Sequence, residues 1–245
     1  MKPLTLLCTL LLGTAQAGTC EKKKVKSHSV ETFTVASRSS IHLDDSFGEV
    51  QVEGWSRDEV EVSVSKSTRK EYRPGDQAKG RAELDSVRVS ARQDKDNGVV
   101  ISTVFPSRNL FTRPLRRKTN VELVYKIRVP RRSNLYIKHD IGEVQVKDVI
   151  GHIEVSNRIG EIALKLPDHE QYTVDARVKI GDVSSDFNCC DTQRQLLVGA
   201  RLAEDHQPDA HQLILRLGIG DINIHKIPVK IMYVENRLPL ALLVP

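Results

Sequence analysis

Five acids in this chain follow a glycine that itself follows an apolar residue: Glu49, Glu143, Glu161, Asp182 and Asp221. Carboxylates ranged along one edge are what a polysaccharide-cleaving protein uses as its acid and base, once unequal surroundings push their pKa values apart. Five equivalent acids at repeat-defined places lack that inequality and read as solvated turn residues, with a carbohydrate-acting enzyme as the alternative. The other concentration of chemistry is cationic. Arg113, Arg116, Arg117 and Lys118, with Phe111 beside them, fall within six residues of a proline-containing stretch. Guanidinium and ammonium groups so clustered suit phosphates, uronic acids or anionic lipid headgroups, which makes these four the ligand-binding candidates.

Other chemistry finds less support. The histidines (His28, His42, His139, His152, His169, His206, His211 and His225) are scattered. None forms the i, i+4 zinc-protease pair with its glutamate, and none sits near a serine or cysteine elbow. "GIGD" at 218–221 lacks the later glycine and the lysine of a phosphate loop. Cys189 and Cys190 lack the usual two-residue ligand spacing. A bond between neighbouring cysteines closes a strained ring, so an oxidising compartment would pair Cys20 with one of them. The expectation is no cofactor, no metal and no enzymatic activity.

The elements that must position these groups announce themselves by repetition. Ile141-Gly142-Glu143-Val144, Ile150-Gly151-His152-Ile153 and Ile159-Gly160-Glu161-Ile162 are nine residues apart, and the phrase returns at Phe47-Gly48, Ile180-Gly181 and Ile219-Gly220. From Gly142 through Gly160, Gly181, a weaker Gly199 and Gly220 the spacings are 18, 21, 18 and 21 residues. A phrase repeated at such a beat reports units that stack on like units. Around it, apolar and polar residues alternate, as in "DEVEVSVSK" (58–66), "VELVYKIRV" (121–129), "QLILRL" (212–217) and "DINIHKI" (221–227). Period-two patterning between turn residues means half-buried strands. The predicted fold is therefore all-β, a stacked β-solenoid with two short strands in each rung of about 20 residues. Its structural corners are Gly48, Gly142, Gly151, Gly160, Gly181 and Gly220. The apolar residue before each glycine is expected to pack inward, the glycine to turn the corner, and the acid to face water.

The opening "MKPLTLLCTLLLGTAQAGTC" has one basic residue, an apolar run from Leu4 to Leu12 and the pattern Ala15-Gln16-Ala17. That predicts a secretory signal peptide over 1–17. The apolar run is roughly half the ~20 residues of a membrane-spanning helix. A lipoprotein acylated on Cys20 is the alternative, with Thr19 ill-suited to the position before it. Residues 18–29 read as a basic leader carrying "KKKVK" (22–26), and 30–245 as a single all-β domain with charged loops at 66–85 and 105–120. The terminal "LPLALLVP" reads as a last strand packing on the body. Without Lys2, 36 basic and 32 acidic residues leave +4, and nine Lys or Arg against one acid, Glu122, lie between Arg108 and Arg132. The rest of the chain is slightly acidic.

With "GEVQVEGWSRDEVEVSVSK" (48–66), "YKIRVPRRSNLYIKHDIGEVQVKDVIGHIEVSNRIGEI" (125–162) and the later Gly-Asp corners in view, the chain resembles the bacterial adhesin-like, or toast-rack, domain family, a domain of unknown function. The resemblance covers most of the chain and implies an all-β solenoid, strands held like slices in a rack, behind a signal peptide or membrane anchor. It implies no shared active site. The basic loop at 105–120 and the Cys189-Cys190 pair depart from the family pattern and take no role from it. The expected function is an exported, non-enzymatic binding or scaffold module of the bacterial cell envelope, in the periplasm or at the cell surface. Its expected partners are an anionic polysaccharide, an anionic lipid surface or an envelope protein. Nucleic acid is not expected, since the chain carries no recognisable nucleic-acid module. An envelope stress-sensing component is a further alternative.

Overall fold

Val and Ile at every second position favour extended backbone, and in the computed structural model most of the described chain is strand. Residues 21–45, 47–95, 97–105, 120–187, 193–195, 199–203 and 210–228 are described. The first half holds β1 (Lys23–Thr34), β2 (Ser40–Asp44), β3 (Phe47–Trp55), β4 (Glu59–Tyr72), α1 (Gln77–Ser86), β5 (Arg88–Gln93) and β6 (Val99–Val104). The second holds β7 (Val121–Pro130), β8 (Asn134–Lys147), β9 (Ile153–Pro167), β10 (Tyr172–Ile180), β11 (Val183–Ser185), β12 (Gln193–Gln195), β13 (Gly199–Ala203) and β14 (His211–Ile227). The protein is all-β, one 14-stranded sheet whose main path runs β1-β4-β7-β3-β8-β9-β14-β10-β13-β12.

The middle of that path cannot be flat. Leu135 pairs with Ile153 and Lys147 with Lys165, in parallel and in register. Twelve extended steps from Leu135 to Lys147 would span about 40 Å. The six steps from Lys147 to Ile153 bridge at most ~21 Å, so β8 must fold back within itself. It does so at Gly142, whose φ is 140°, and the return begins at Asp148, with φ 55°. Each rung is thus two strand arms and a short third side. Gly48, Gly142, Gly160, Gly181 and Gly220 all have φ between 129° and 142°. Gly48 pairs with Gly142, Gly142 with Gly160 and Gly160 with Gly220. The corners therefore stack one upon another.

The bend reverses the side-chain alternation. Before the corner Leu135, Ile137 and His139 are buried; after it Val144 and Val146 are. The same switch separates Ile153, Val155 and Asn157 from Ile162 and Leu164, and Leu213, Leu215 and Leu217 from Ile222 and Ile224. These inward sets form the core. Beyond the first rung the sheet divides: β2 pairs β6, which pairs β5, while β3 pairs β7, then β4 and β1. Tyr125, Phe47 and Phe105 help fill the space between these wings.

Several expectations are corrected. A rung's two arms are mostly one continuous strand: "QLILRL" and "DINIHKI" both belong to β14. Gly151 is not a corner of this kind; it lacks a positive φ and lies between β8 and β9, close against Ser133. Gly199 opens β13, antiparallel to β10. The rungs also stack out of chain order, because β14 inserts between β9 and β10. The basic run 22–26 enters β1, whose pairing with β4 begins at Lys23↔Tyr72, so it is an edge strand and not a free leader. The loop expected at 66–85 is strand to Tyr72 and then α1, whose buried residues are only Gly80 and Leu84, too few to leave a helical stripe in the sequence. Residues 1–17, Cys20, Cys189, Cys190 and the terminal "LPLALLVP" lie outside the described residues.

A Cβ on Gly142 would lie 1.7 Å from the Gly48 carbonyl oxygen, and one on Gly160 1.9 Å from that of Gly142, whereas one on Gly75 meets nothing within 4 Å. Gly142→Val and Gly160→Val are each expected to cost roughly 2 to 5 kcal/mol, strain at a positive φ added to a backbone collision. Gly75→Ala is expected to stay within about 0.5 kcal/mol of wild type. Denaturant unfolding of the three variants checks this, and wild-type midpoints for the two valine variants would contradict the corner geometry.

Candidate functional site

The corner gives the stack an outer face on which each rung repeats its neighbour's chemistry. On the corner line stand Ile141, Ile159, Ile219 and Ile180, paired in that order. They are 54%, 44%, 46% and 47% exposed, so the apolar residue before the corner glycine points outward, contrary to the expectation from the sequence. Phe47 continues the line beyond Ile141 and packs on Phe105, ring centroids 4.6 Å apart.

Beside this ridge runs the acid row, Glu49, Glu143, Glu161 and Asp221 in register. Like charges on paired strands are destabilising, and a neighbouring row of amides offsets them. Gln51 Nε2 donates to Glu49 and Gln145 Nε2 to Glu143, each at 2.5 Å. In the next rung the amide position is Ala163, so Asn223 Nδ2 reaches across to Glu161 at 2.8 Å. Asp221 Oδ1 accepts the backbone N–H of Asp182 at 3.0 Å. The small Ala163 leaves a shallow hollow of about 270 Å³, rimmed by Lys147, Lys165 and His225. Lys147 also pairs with Glu53 at 3.1 Å. The face therefore carries bands of isoleucine, carboxylate, amide and cation.

A second polar group lies inside the corner. His139 Nδ1 is 3.5 Å from Asp45 Oδ2, both side chains fully buried. Tyr125 reaches the same carboxyl, and its hydroxyl is 2.6 Å from Thr103 Oγ1. Burial first, and then the Asp45 charge, holds the Tyr125 phenol protonated far above its ordinary range. Asn157, paired with His139, donates through Nδ2 to the Gly142 carbonyl at 2.9 Å and so ties two corners together. The sequence did carry a sign of this cluster, since His139 shares parity with inward Leu135 and Ile137.

The four cations singled out from the sequence, Arg113, Arg116, Arg117 and Lys118, lie outside the described residues, but both ends of their segment are placed. β6 extends the arm of β2 and β7 that of β3, so the strands that bound the segment lie on different arms. At one end Phe105 meets Phe47; at the other the Asn120 carbonyl accepts the Arg69 N–H at 2.6 Å. His152 is half-buried between β8 and β9, its N–H bound by Asn134 Oδ1 at 3.0 Å and its ring 5.5 Å from Tyr136. "GIGD" is the corner of β14. Among the described residues no cluster of His, Cys, Asp and Glu has metal-holding geometry, and no helix is long and apolar enough to cross a membrane.

No family model matches the chain, and no curated protein matches it. Among solved structures it is similar to a "putative cell adhesion protein" from Clostridium sporogenes, with 10% identity and a TM-score of 0.47 over 84% of this chain and 100% of that one. It is also similar to a "putative lipid binding protein" from Parabacteroides distasonis, with 9% identity and a TM-score of 0.20 over 82% of this chain and 96% of that one. Neither likeness assigns a ligand to this chain.

At the level of His139 and Asn157 the rung built on β14 carries the apolar Leu217. His139→Leu takes one polar neighbour from the buried Asp45 carboxyl and is expected to cost about 1 to 3 kcal/mol. Adding Asp45→Val is expected to return much of that loss. Thermal unfolding of the single and double variants checks it; strictly additive losses would show that the two side chains are not coupled.

Proposed function

We propose that the chain is a stacked β-solenoid of the adhesin-like, toast-rack kind, exported by its leader, which acts without catalysis as a binding or scaffold module of the cell envelope. The observation that carries this reading is the in-register repetition of the outer face. Four isoleucines and four carboxylates recur rung by rung, with amides beside three of the acids, which suits a polymer or extended surface that offers the same group again and again. The acids are equivalent by construction and each is held by an amide or backbone N–H, an arrangement for display. The basic segment 105–120 adds a second character. Its Arg113, Arg116, Arg117 and Lys118 would meet an anionic polysaccharide, an anionic lipid surface or an acidic envelope protein.

Cations of this kind contribute little to stability, and their attraction fades as the Debye length shrinks from about 10 Å at 0.1 M salt to about 3 Å at 1 M. Changing the four together to Ser is expected to leave the melting temperature unchanged and to abolish retention on dextran sulfate or anionic vesicles at low salt. A wild type that is never retained, or a variant retained as well as wild type, would refute the polyanion partner. Export has its own check: the intact mass of secreted protein is expected to begin at Gly18 without lipid, and a diacylglycerol adduct on Cys20 would replace signal-peptide cleavage after Ala17 with lipoprotein processing.

A further inference from the structure

We infer that the corner ridge is a docking surface for a cationic amphipathic helix presented by a partner protein. Ile141, Ile159, Ile219 and Ile180 form an unbroken apolar line, each about half exposed, on adjacent paired strands. Three strand spacings of ~4.8 Å make the line about 14 Å long. Solitary exposed apolar residues are ordinary, but a contiguous apolar stripe rimmed by polar groups marks an interaction site.

Two observations choose the occupant. The first is spacing. A helix offers side chains along one face every turn, ~5.4 Å, close to the ~4.8 Å step of the ridge, whereas an extended peptide repeats on one face every ~6.8 Å and falls out of step within two rungs. The apolar stripe of a helix can therefore mesh with all four isoleucines.

The second observation is charge. On one flank stand Glu143, Glu161, Asp221 and Asp182; on the other Asp140 pairs with Arg158 at 3.6 Å, and Lys179 lies farther along. Among the positions immediately flanking the isoleucines, these five acids against two cations give a formal charge of −3, although the chain as a whole is basic. A helix with Lys or Arg beside its apolar stripe is complementary to that arrangement. An anionic membrane surface is not. The ridge is separate from the polyanion site proposed for residues 105–120, and either can fail without the other.

The test uses the mature chain and three synthetic peptides of about 14 residues, long enough at ~1.5 Å per residue to cover the ridge. One has leucines at helical spacing with lysine elsewhere; one is its isomer with leucine and lysine in strict alternation; one keeps the helical leucines with glutamate for lysine. Fluorescence anisotropy is expected to show binding of the first peptide, weakening with salt, and at least tenfold weaker binding of the other two. Ile159→Ser/Ile219→Ser is expected to weaken the first peptide at least tenfold with an unchanged melting temperature. Glu143→Gln/Glu161→Gln/Asp221→Asn is expected to do the same and to flatten the salt dependence, which keeps the proposal testable if either variant folds poorly. Equal binding of the alternating isomer, binding of the glutamate peptide, or no binding at all would overturn it. So would sedimentation showing a wild-type dimer that the isoleucine variant dissolves, since the occupant would then be a second copy of this chain.

Discussion

Backbone meets backbone at the corners of this protein more closely than any side chain allows. A Cβ on Gly142, Gly160, Gly181 or Gly220 would fall within 1.9 Å of a carbonyl oxygen in the adjoining rung. The positive φ at each glycine lets the strand turn on itself without losing its pairing. Because every rung bends at the same level, the next can lie on it in register through both arms. The closed core, the outer bands and the short returns between strands all follow from that stacked bend.

The bend sorts side chains in a way that straight strands do not. Across the corner the inward set changes parity, so the two residues flanking the glycine are both turned toward solvent. In four of the copies these are an isoleucine and an acid, and stacking converts them into a ridge and a row. Inside, the same geometry crowds the last residue of the first arm against the turn. There the protein has placed Asp45, His139 and Asn157, with Asn157 bound to the Gly142 carbonyl. Buried polar groups cost stability unless they find partners, and here the partner of Asn157 is the turning backbone itself.

At one end of the stack the repeat gives way. The first arm passes from β2 to β6 and β5, the second from β3 to β7, β4 and β1.

The repeated phrase in the sequence was enough to establish the all-β character, the positions of Gly48, Gly142, Gly160, Gly181 and Gly220, and the approximate length of a rung, because a backbone that must turn without a Cβ admits little but glycine. Alternation likewise marked the inward residues of each arm. It misplaced Ile141, Ile159, Ile180 and Ile219, since counting by twos through a glycine assumes a straight strand and the bend shifts the count. Gly151 carried the same phrase and yet was no corner, for φ depends on what the chain must do there and not on its neighbours in sequence. The order of the rungs was beyond any local reading. Phrases that are chemically alike can stack on one another in any order, so only the long-range pairing of β14 with both β9 and β10 decides which corner lies beside which, and with it the sequence of residues along the ridge.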